Sequence, residues 1–169
     1  MSEYFGGGTA VEQGQTNWGQ SVTGVVIHQG KVLLARHTYG GGAGKLIIPG
    51  GYVNMGETPQ QALKREFLEE TGVCVEPRDI IGIRFNMRDW YIAFRAAYVS
   101  GEATSDQDEN SEVLWLDVEA ALAREDVPDL TKKLIASAAK PESGLRYEAY
   151  EANTRHAPYS LYCLTGNGG

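Results

Sequence analysis

The chain has 169 residues, 42% of them hydrophobic and 22% charged, a composition typical of one globular domain and not of a disordered chain. Its net charge of −7 repels polyanions, and no dense cluster of Lys and Arg is present, so general nucleic-acid binding is disfavoured. Cys74 and Cys163 lie far apart without metal-binding spacing, which indicates reduced thiols and a cytoplasmic protein. No segment approaches the roughly 20 apolar residues of a membrane span, and no secretory signal begins the chain.

The first part of the chain predicts a flexible arm followed by an antiparallel hairpin. Residues 1–16 are polar and rich in glycine, as in a mobile N-terminal arm. Apolar residues in 21–28 and 31–36 predict two strands, and Gln29 and Gly30 between them are a two-residue hairpin signal. A glycine-rich connection then leads to a short apolar run at 46–48, which must end at the Pro-Gly-Gly turn that follows.

A helix with clear signals at both ends comes next. Thr58 is a good N-cap, Pro59 occupies the first helical position, and Gln61 stands where a capping box needs it. Gly72 is the matching stop signal. Between these ends the apolar residues recur at helical spacing and leave another face charged, so the sequence predicts an amphipathic helix.

The second half of the chain predicts three more strands and two helices. Alternating apolar residues indicate the strands, and an acidic connection over 101–111 precedes the last of them. Asp117 is positioned to cap the first helix. The predicted strands cover residues 79–85, 91–99 and 112–116, and the predicted helices cover 117–124 and 129–140. We therefore divide the chain into an arm at 1–16, a domain at 17–140 and a C-terminal extension at 141–169, whose role is open and which could form the interface of a homodimer.

Three carboxylates share one face of the predicted helix at 58–72. Glu66, Glu69 and Glu70 are separated by three and four positions and therefore lie side by side. Like charges at this spacing destabilise a helix by some tenths of a kcal/mol per pair, roughly, so a bound cation is a natural explanation. Mg²⁺ prefers such oxygen ligands. The alternative is an exposed helix with a solvated glutamate-rich face.

The residues on both sides of the carboxylates favour the cation. Nine specified positions occur at fixed spacing over 23 residues. Read in order, they are Gly51-x5-Glu57-x7-Arg65-Glu66-Phe67-x-Glu69-Glu70-x-Gly72-Val73. This pattern resembles the Nudix box at every fixed position, and only Phe67 is bulkier than the usual aliphatic residue. The resemblance to Nudix hydrolases covers roughly residues 18–125.

The resemblance implies a role for each residue of the box. Glu66, Glu69 and Glu70 would hold one or more Mg²⁺ or Mn²⁺ ions, and Gly51 would let the loop turn and offer its carbonyl to the metal. Glu57 and Arg65 would form an ion pair that ties the loop to the helix. The implied fold is α/β, a Nudix-type α/β/α sandwich with a mixed curved sheet.

The implied activity is hydrolysis of a phosphoanhydride bond. The metal neutralises the pyrophosphate oxygens and acidifies a bound water, which a carboxylate orients or deprotonates. Glu66 and Glu69 are the candidates on the helix. Glu112, directly after the acidic connection, is the first choice for a further catalytic carboxylate, because many relatives place a functional glutamate before the strand that follows. Glu109 is the second choice, and the alternative is a solvated loop acid.

Four residues outside the box are candidates for substrate binding. Arg36 ends a predicted strand, Arg84 precedes the hairpin turn at 86–90 and Arg88 lies in it, and any of the three could contact phosphate. Tyr91 could stack on a base, although burial against the sheet is the commoner fate of such an aromatic residue.

The substrate remains open between nucleotide sugars, ADP-ribose, dinucleotides and nucleoside triphosphates. The proline typical of the ADP-ribose subgroup is missing, since none lies between Pro77 and Pro128, and the SQPWPFP-type motif of the NADH subgroup is absent. Tyr91 lies near the position of a tyrosine in diadenosine-polyphosphate hydrolases. The competing hypotheses are a Nudix-fold module that binds a nucleotide without hydrolysing it, and an RNA-decapping member, which the acidic charge disfavours.

Overall fold

The computed structural model describes residues 19–141, 144–150, 158 and 160–164. Seven strands form one sheet, three helices pack against it, and two further strands form a small C-terminal hairpin. The strands of the sheet are β1 (Gly19–His28), β2 (Lys31–His37), β3 (Leu46–Ile47), β4 (Gly50–Tyr52), β5 (Cys74–Phe85), β6 (Asp89–Ser100) and β7 (Asn110–Asp117). The helices are α1 (Pro59–Thr71), α2 (Val118–Ala123) and α3 (Asp129–Ala138), and the hairpin is β8 (Arg146–Glu148) with β9 (Leu161–Cys163).

The sheet is mixed and branches at β1. The strand order is β3-β2-β1-β6-β5, with β4 also paired to β1 and β7 also paired to β2. Strands β1 and β6 run parallel, whereas the other pairings are antiparallel. The first half of β1 pairs with β4 and its end pairs with β2, so the two branches separate beside the loop that follows β3.

Helices cover both faces of the sheet, because β1 alternates its side chains between two cores. Val22 and Val26 pack with Leu63 and Phe67 of α1. Val25 packs on the opposite face with Ile135 of α3. This arrangement confirms the predicted α/β/α sandwich.

The predicted hairpin turn is confirmed, and several strand ends differ from the prediction. Gln29 and Gly30 have φ of 50° and 77°, the left-handed pair that a two-residue turn requires. Strand β5 begins at Cys74, five residues before the predicted start. Pro77 hid this extension, because proline lacks a donor; it is tolerated on this edge strand beside a register shift. Asp117 takes the N-cap position of α2, but its side chain makes no capping hydrogen bond.

The C-terminal hairpin packs on the domain. Leu145 forms an antiparallel bridge with Ile80 of β5. The ring of Tyr162 lies edge-on to Phe94, with centroids 5.6 Å apart, and its hydroxyl accepts a hydrogen bond from Gln60 at 2.9 Å. The arm predicted for residues 1–16 lies outside the described residues. In the described part of the chain, no helix is long and apolar enough to cross a membrane.

Candidate active site

Local signals fix both ends of α1. The Thr58 hydroxyl accepts a hydrogen bond from the Gln61 amide at 3.2 Å, and the Gln61 side chain accepts one from the Thr58 amide at 2.8 Å. Gly72 has φ of 70° and donates its amide to the Leu68 carbonyl at 3.0 Å. The predicted capping box and glycine stop are therefore confirmed, and the box carboxylates lie on the last two turns of the helix.

Arg65 connects the loop before α1 to the helix. Its Nε and Nη2 donate to the two carboxylate oxygens of Glu57 at 3.1 and 2.7 Å, and Nη2 also donates to the Tyr52 carbonyl at 3.0 Å. Nη1 donates to Glu66 at 2.7 Å and to Glu69 at 3.3 Å. The hydrogen bonds from Arg65 hold the pKa of Glu57 below its usual value, so this ion pair persists at neutral pH.

Glu70 is a buried carboxyl group at the end of α1. It is 3% exposed, and Oε2 accepts a hydrogen bond from the Gly50 amide at 3.3 Å. Burial raises the pKa of Glu70 to about 8, and the neighbouring charge of Glu66 adds to the increase. Without a counter-ion the charged form of Glu70 is therefore unfavourable at neutral pH.

The loop from β4 passes directly over Glu66. The Glu66 side chain is 14% exposed, and burial raises its pKa, against the lowering effect of Arg65. A methyl group at Gly51 would overlap the Glu66 carboxylate, and one at Gly50 would overlap the Val22 carbonyl oxygen. Gly50 therefore requires glycine, whereas a side chain at Gly51 would displace the Glu66 carboxylate; the backbone comes close to the acidic face of α1 because no side chain intervenes.

The acidic face of α1 has the donor chemistry of a divalent-cation site, although the carboxylates of Glu66 and Glu69 are turned to Arg65. In the part of the chain that the structure describes, no three His, Cys, Asp or Glu side chains converge as a ready-made metal site. Glu66 and Glu69 share the Arg65 guanidinium instead. The Glu69 side chain is 62% exposed, so packing does not prevent it from turning.

Of the two candidate acids after β6, Glu109 is the one whose charge acts on the carboxylates of α1. Its charge contributes, after burial, to the raised pKa of both Glu66 and Glu70. Glu112 lies on β7 and accepts a hydrogen bond from Arg36 Nε at 2.9 Å. The two acids therefore have different surroundings, and the catalytic role of either stays a prediction.

Arg36 ties together three segments on the edge of the domain. Besides Glu112, it donates through Nη1 to the Gly44 carbonyl at 2.9 Å and to Asp126 at 3.1 Å. Arg124 also binds Asp126, at 2.7 Å. These contacts hold the glycine-rich loop before β3 and the connection between α2 and α3, and a phosphate contact of Arg36 stays a prediction.

Arg84 and Tyr91 lie together on the sheet. Arg84 donates to Asp89 at 2.6 Å, and its guanidinium carbon lies 5.0 Å from the centroid of the Tyr91 ring. Burial raises the pKa of Tyr91, and the negative charge of Glu70 adds to the increase. The Tyr91 hydroxyl contacts Thr23. Thr23 in turn donates to the Pro49 carbonyl at 2.6 Å, next to the loop over α1. Contacts through Tyr91 and Thr23 therefore connect Arg84 with the loop over α1.

Arg88 lies exposed in the turn between β5 and β6, beside an exposed aromatic pair. The rings of Phe85 and Trp90 meet edge to face at 5.2 Å. Trp90 is 46% exposed, although burial is the commoner fate of a tryptophan. The four predicted substrate residues are therefore not brought together: Arg84 and Tyr91 are in contact, whereas Arg36 binds to a different network.

Three residues of the site escaped prediction. The Tyr39 hydroxyl donates a hydrogen bond to Glu109 Oε2 at 3.2 Å. The side-chain amide of the fully buried Asn110 donates one to the backbone carbonyl of Glu70 at 3.4 Å. Gly50 supplies the hydrogen bond to Glu70. The double glycine was a visible signal for the last of these. The contacts of Tyr39 and Asn110 join residues 70 and 40 positions apart, and no local pattern reports them.

Comparison with known proteins agrees with the fold. Residues 19–137 match the family model described as the NUDIX domain. The chain is 37% identical over 102 residues to an oxidized purine nucleoside triphosphate hydrolase of Danio rerio, covering 56% of this chain and 64% of that protein. It is 35% identical over 103 residues to the NAD-capped RNA hydrolase NudC of Actinobacillus succinogenes, covering 54% of this chain and 37% of that protein.

Solved structures give the same result. The MutT protein from Methanosarcina mazei matches with a TM-score of 0.61 at 27% identity, over 73% of this chain and 94% of that one. Because the family model spans more than half of the sequence, the chain belongs to the Nudix family. It spans less than two thirds of the length of each of the two named relatives.

Proposed function

We propose that this protein is a Mg²⁺- or Mn²⁺-dependent hydrolase that cleaves a phosphoanhydride bond in a nucleoside diphosphate linked to another group. The observation that carries the proposal is the proximity of Glu66 and the buried Glu70 to the backbone of Gly50 and Gly51. Folding of this arrangement costs stability, because burial and like charge both raise the pKa of Glu70. A bound cation removes that cost.

The oxygen atoms at this place suit a hard divalent cation. The carboxylates of Glu66, Glu69 and Glu70 and the carbonyl of Gly51 are the ligands that we assign to it. When bound, the ion neutralises phosphate charge and acidifies a coordinated water molecule. Four carboxylates in all, including Glu109 from the loop, are then available around one phosphate group.

The chain's own residues position the reacting groups. Arg65 holds Glu66 through Nη1 at 2.7 Å, and Glu57 holds Arg65 through two hydrogen bonds. This rigid support favours Glu66 as a metal ligand. Glu69 and Glu109, which are more exposed, are the candidates to orient or deprotonate a water molecule. Glu112 is the less favoured candidate because it binds Arg36.

The surface around Arg84 and Tyr91 is the place that we assign to the rest of the substrate. Contacts link it to the buried Thr23, beside the loop over α1, and to the buried Asp89 at the start of β6. Arg84 offers a cation and Tyr91 an aromatic ring, the groups that bind phosphate and stack on a base. The names of the relatives point to nucleotide derivatives of several kinds, and we leave the substrate at that class.

The test is turnover with a panel of ADP-ribose, NADH, nucleotide sugars, diadenosine polyphosphates and nucleoside triphosphates, with Mg²⁺ or Mn²⁺. We compare the wild type with Glu69→Gln and use Glu119→Gln, an exposed helical glutamate of α2, as the matched control. Metal-dependent release of phosphate or mononucleotide that collapses only in Glu69→Gln supports the proposal and names the substrate. A folded wild type that is silent throughout contradicts it and favours a nucleotide-binding module.

A further inference from the structure

The segment between β6 and β7 closes over the end of α1. The Thr104 amide donates to the Thr71 carbonyl at 2.8 Å, and the Asn110 side chain donates to the Glu70 carbonyl at 3.4 Å. Asp106 Oδ1 accepts a hydrogen bond from the Asn110 amide at 2.9 Å, which folds the segment on itself. The acidic loop is therefore ordered by its own side chains and attached to the helix that carries the box carboxylates.

Thr38 and Tyr39, which directly follow β2, bind the other side of this loop. The Thr38 amide donates to the Glu109 carbonyl at 3.0 Å, and the Thr38 hydroxyl donates to the Asp108 carbonyl at 2.7 Å. Tyr39 then donates its hydroxyl to Glu109 Oε2 at 3.2 Å. The Tyr39 ring is itself supported by stacking on His37, with centroids 5.7 Å apart. Backbone and side chain of Glu109 are thus held from two successive residues.

From this geometry we infer that Tyr39 is a positioning residue, whose hydroxyl holds the Glu109 carboxylate towards Glu66 and Glu70. The inference rests on the proposed function and deepens it, because it makes Glu109 the loop carboxylate of the reaction and assigns its orientation to Tyr39. Tyr39 acts through Glu109 and not on the substrate itself.

The charges around Tyr39 agree with this role. Burial raises the pKa of the Tyr39 hydroxyl to about 12, and the charge of Glu109, followed by those of Glu70 and Glu66, adds to the increase. The hydroxyl therefore stays protonated at neutral pH and remains a donor. The tyrosine is 55% exposed, so removal of its hydroxyl leaves no unpaired group in the core.

The kinetic test is a double-mutant cycle of Tyr39→Phe and Glu109→Gln, with Tyr147→Phe on the exposed β8 as the matched control. If Tyr39 acts through Glu109, Tyr39→Phe lowers kcat about fivefold or more, leaves KM nearly unchanged, and adds little to Glu109→Gln. A Tyr39→Phe variant with wild-type kcat, or losses that multiply in the double variant, overturns the inference.

A second measurement does not depend on activity. Amide hydrogen exchange of residues 105–110 in the metal-free protein is expected to be faster in Tyr39→Phe than in Tyr147→Phe, and faster still in Thr38→Val, which loses the bond to Asp108. Unchanged exchange in both loop variants overturns the inference. The proposed function fails separately, by a wild type without turnover or by turnover that survives in Glu69→Gln.

Discussion

Glu70 and Gly51 together show how single residues make this site. Burial at 3% exposure places the Glu70 carboxyl where a negative charge is unfavourable, and only the Gly50 amide compensates it among the described hydrogen bonds. Gly51 lets a backbone segment lie where a side chain would collide with Glu66. The acidic face of α1 therefore lies beneath the backbone of Gly50 and Gly51, where its carboxylates destabilise the folded protein unless a cation binds them.

The raised pKa of Glu70 predicts a pH-dependent stability of the metal-free protein. The unfolded group, with its ordinary pKa near 4.5, loses its proton earlier than the folded group at about 8. The stabilisation is therefore complete below the lower pKa and is lost as the pH rises through the upper one. Between pH 5 and 8 in EDTA, the free energy of unfolding of the wild type should fall by a few kcal/mol, on the order of magnitude that such a shift implies.

Denaturant unfolding at the two pH values measures this slope. Glu70→Gln keeps an acceptor for the Gly50 amide but has no titrating group, so its slope should be clearly smaller. Mg²⁺ should stabilise the wild type more at the higher pH, because the ion competes with the proton. Equal slopes in wild type and variant would show that Glu70 is not the group responsible.

A methyl group at Gly51 should disrupt the metal site without unfolding the protein. We expect Gly51→Ala to push the Glu66 carboxylate aside and to raise the Mg²⁺ concentration for half-maximal activity about tenfold or more. Gly41→Ala is the matched control, because a Cβ at Gly41 meets nothing within 4 Å. The steric argument fails if the two variants respond to Mg²⁺ alike.

The types and spacing of residues along the chain predicted the box but not the contacts between residues that are distant in sequence. Glu57, Arg65 and the three helix carboxylates stand out because their spacing is local and rigid. The resemblance places Glu112 before Glu109, because many relatives carry a functional glutamate ahead of the following strand. In the structure Glu112 binds Arg36 on the β2–β7 ladder, a contact that the sequence does not reveal. Tyr39 gave no signal, since its partner lies 70 positions away.

Helix α1 is the element that the sequence predicted best, because residues next to its ends form the hydrogen bonds that begin and terminate it. Thr58, Gln61 and Gly72 act within one turn of the chain they terminate. Strand β5 was predicted too short, because Pro77 and the register shifts beside it obey edge-strand rules that only the pairing with β6 reveals. The sequence predicts only a glycine-rich connection before the run at 46–48, yet Arg36 donates to the Gly44 carbonyl within it and Thr38 joins its start to the acidic loop.

The capping box predicts a measurable contribution of Thr58. Thr58→Ala removes the acceptor for the Gln61 amide and should lower the free energy of unfolding by about 1 kcal/mol. Urea unfolding of the metal-free protein measures the change. Thr58→Ser retains a hydroxyl and should recover most of the loss; an equal loss in both variants would assign the effect to the missing methyl group instead.

At the scale of the whole molecule, the described part of the predicted C-terminal extension packs on the domain. The extension was set apart from the domain because its composition is mixed, and sequence pattern gave no partner for it. In the structure Tyr162 packs on Phe94 and binds Gln60 at the start of α1, while Leu145 extends the edge at Ile80. The hairpin thus joins the core that contains α1.

We therefore predict that the hairpin and the domain unfold together. Tyr162→Ala should lower the free energy of unfolding by roughly 2 kcal/mol, since it removes a partly buried ring and the hydrogen bond to Gln60. Leu164→Ala, at a side chain that is 78% exposed, should change little. A single transition displaced only in Tyr162→Ala is the expected denaturation profile, and two separate transitions would show an independent hairpin.

Binding of Mn²⁺, followed by the electron paramagnetic resonance signal of the free ion, tests the central claim most directly. The account predicts that the wild type and Glu119→Gln bind the ion alike, and that Glu70→Gln binds it at least about tenfold more weakly. Equal binding by all three proteins, or no binding by the wild type, would contradict the assignment of the cation to the acidic face of α1.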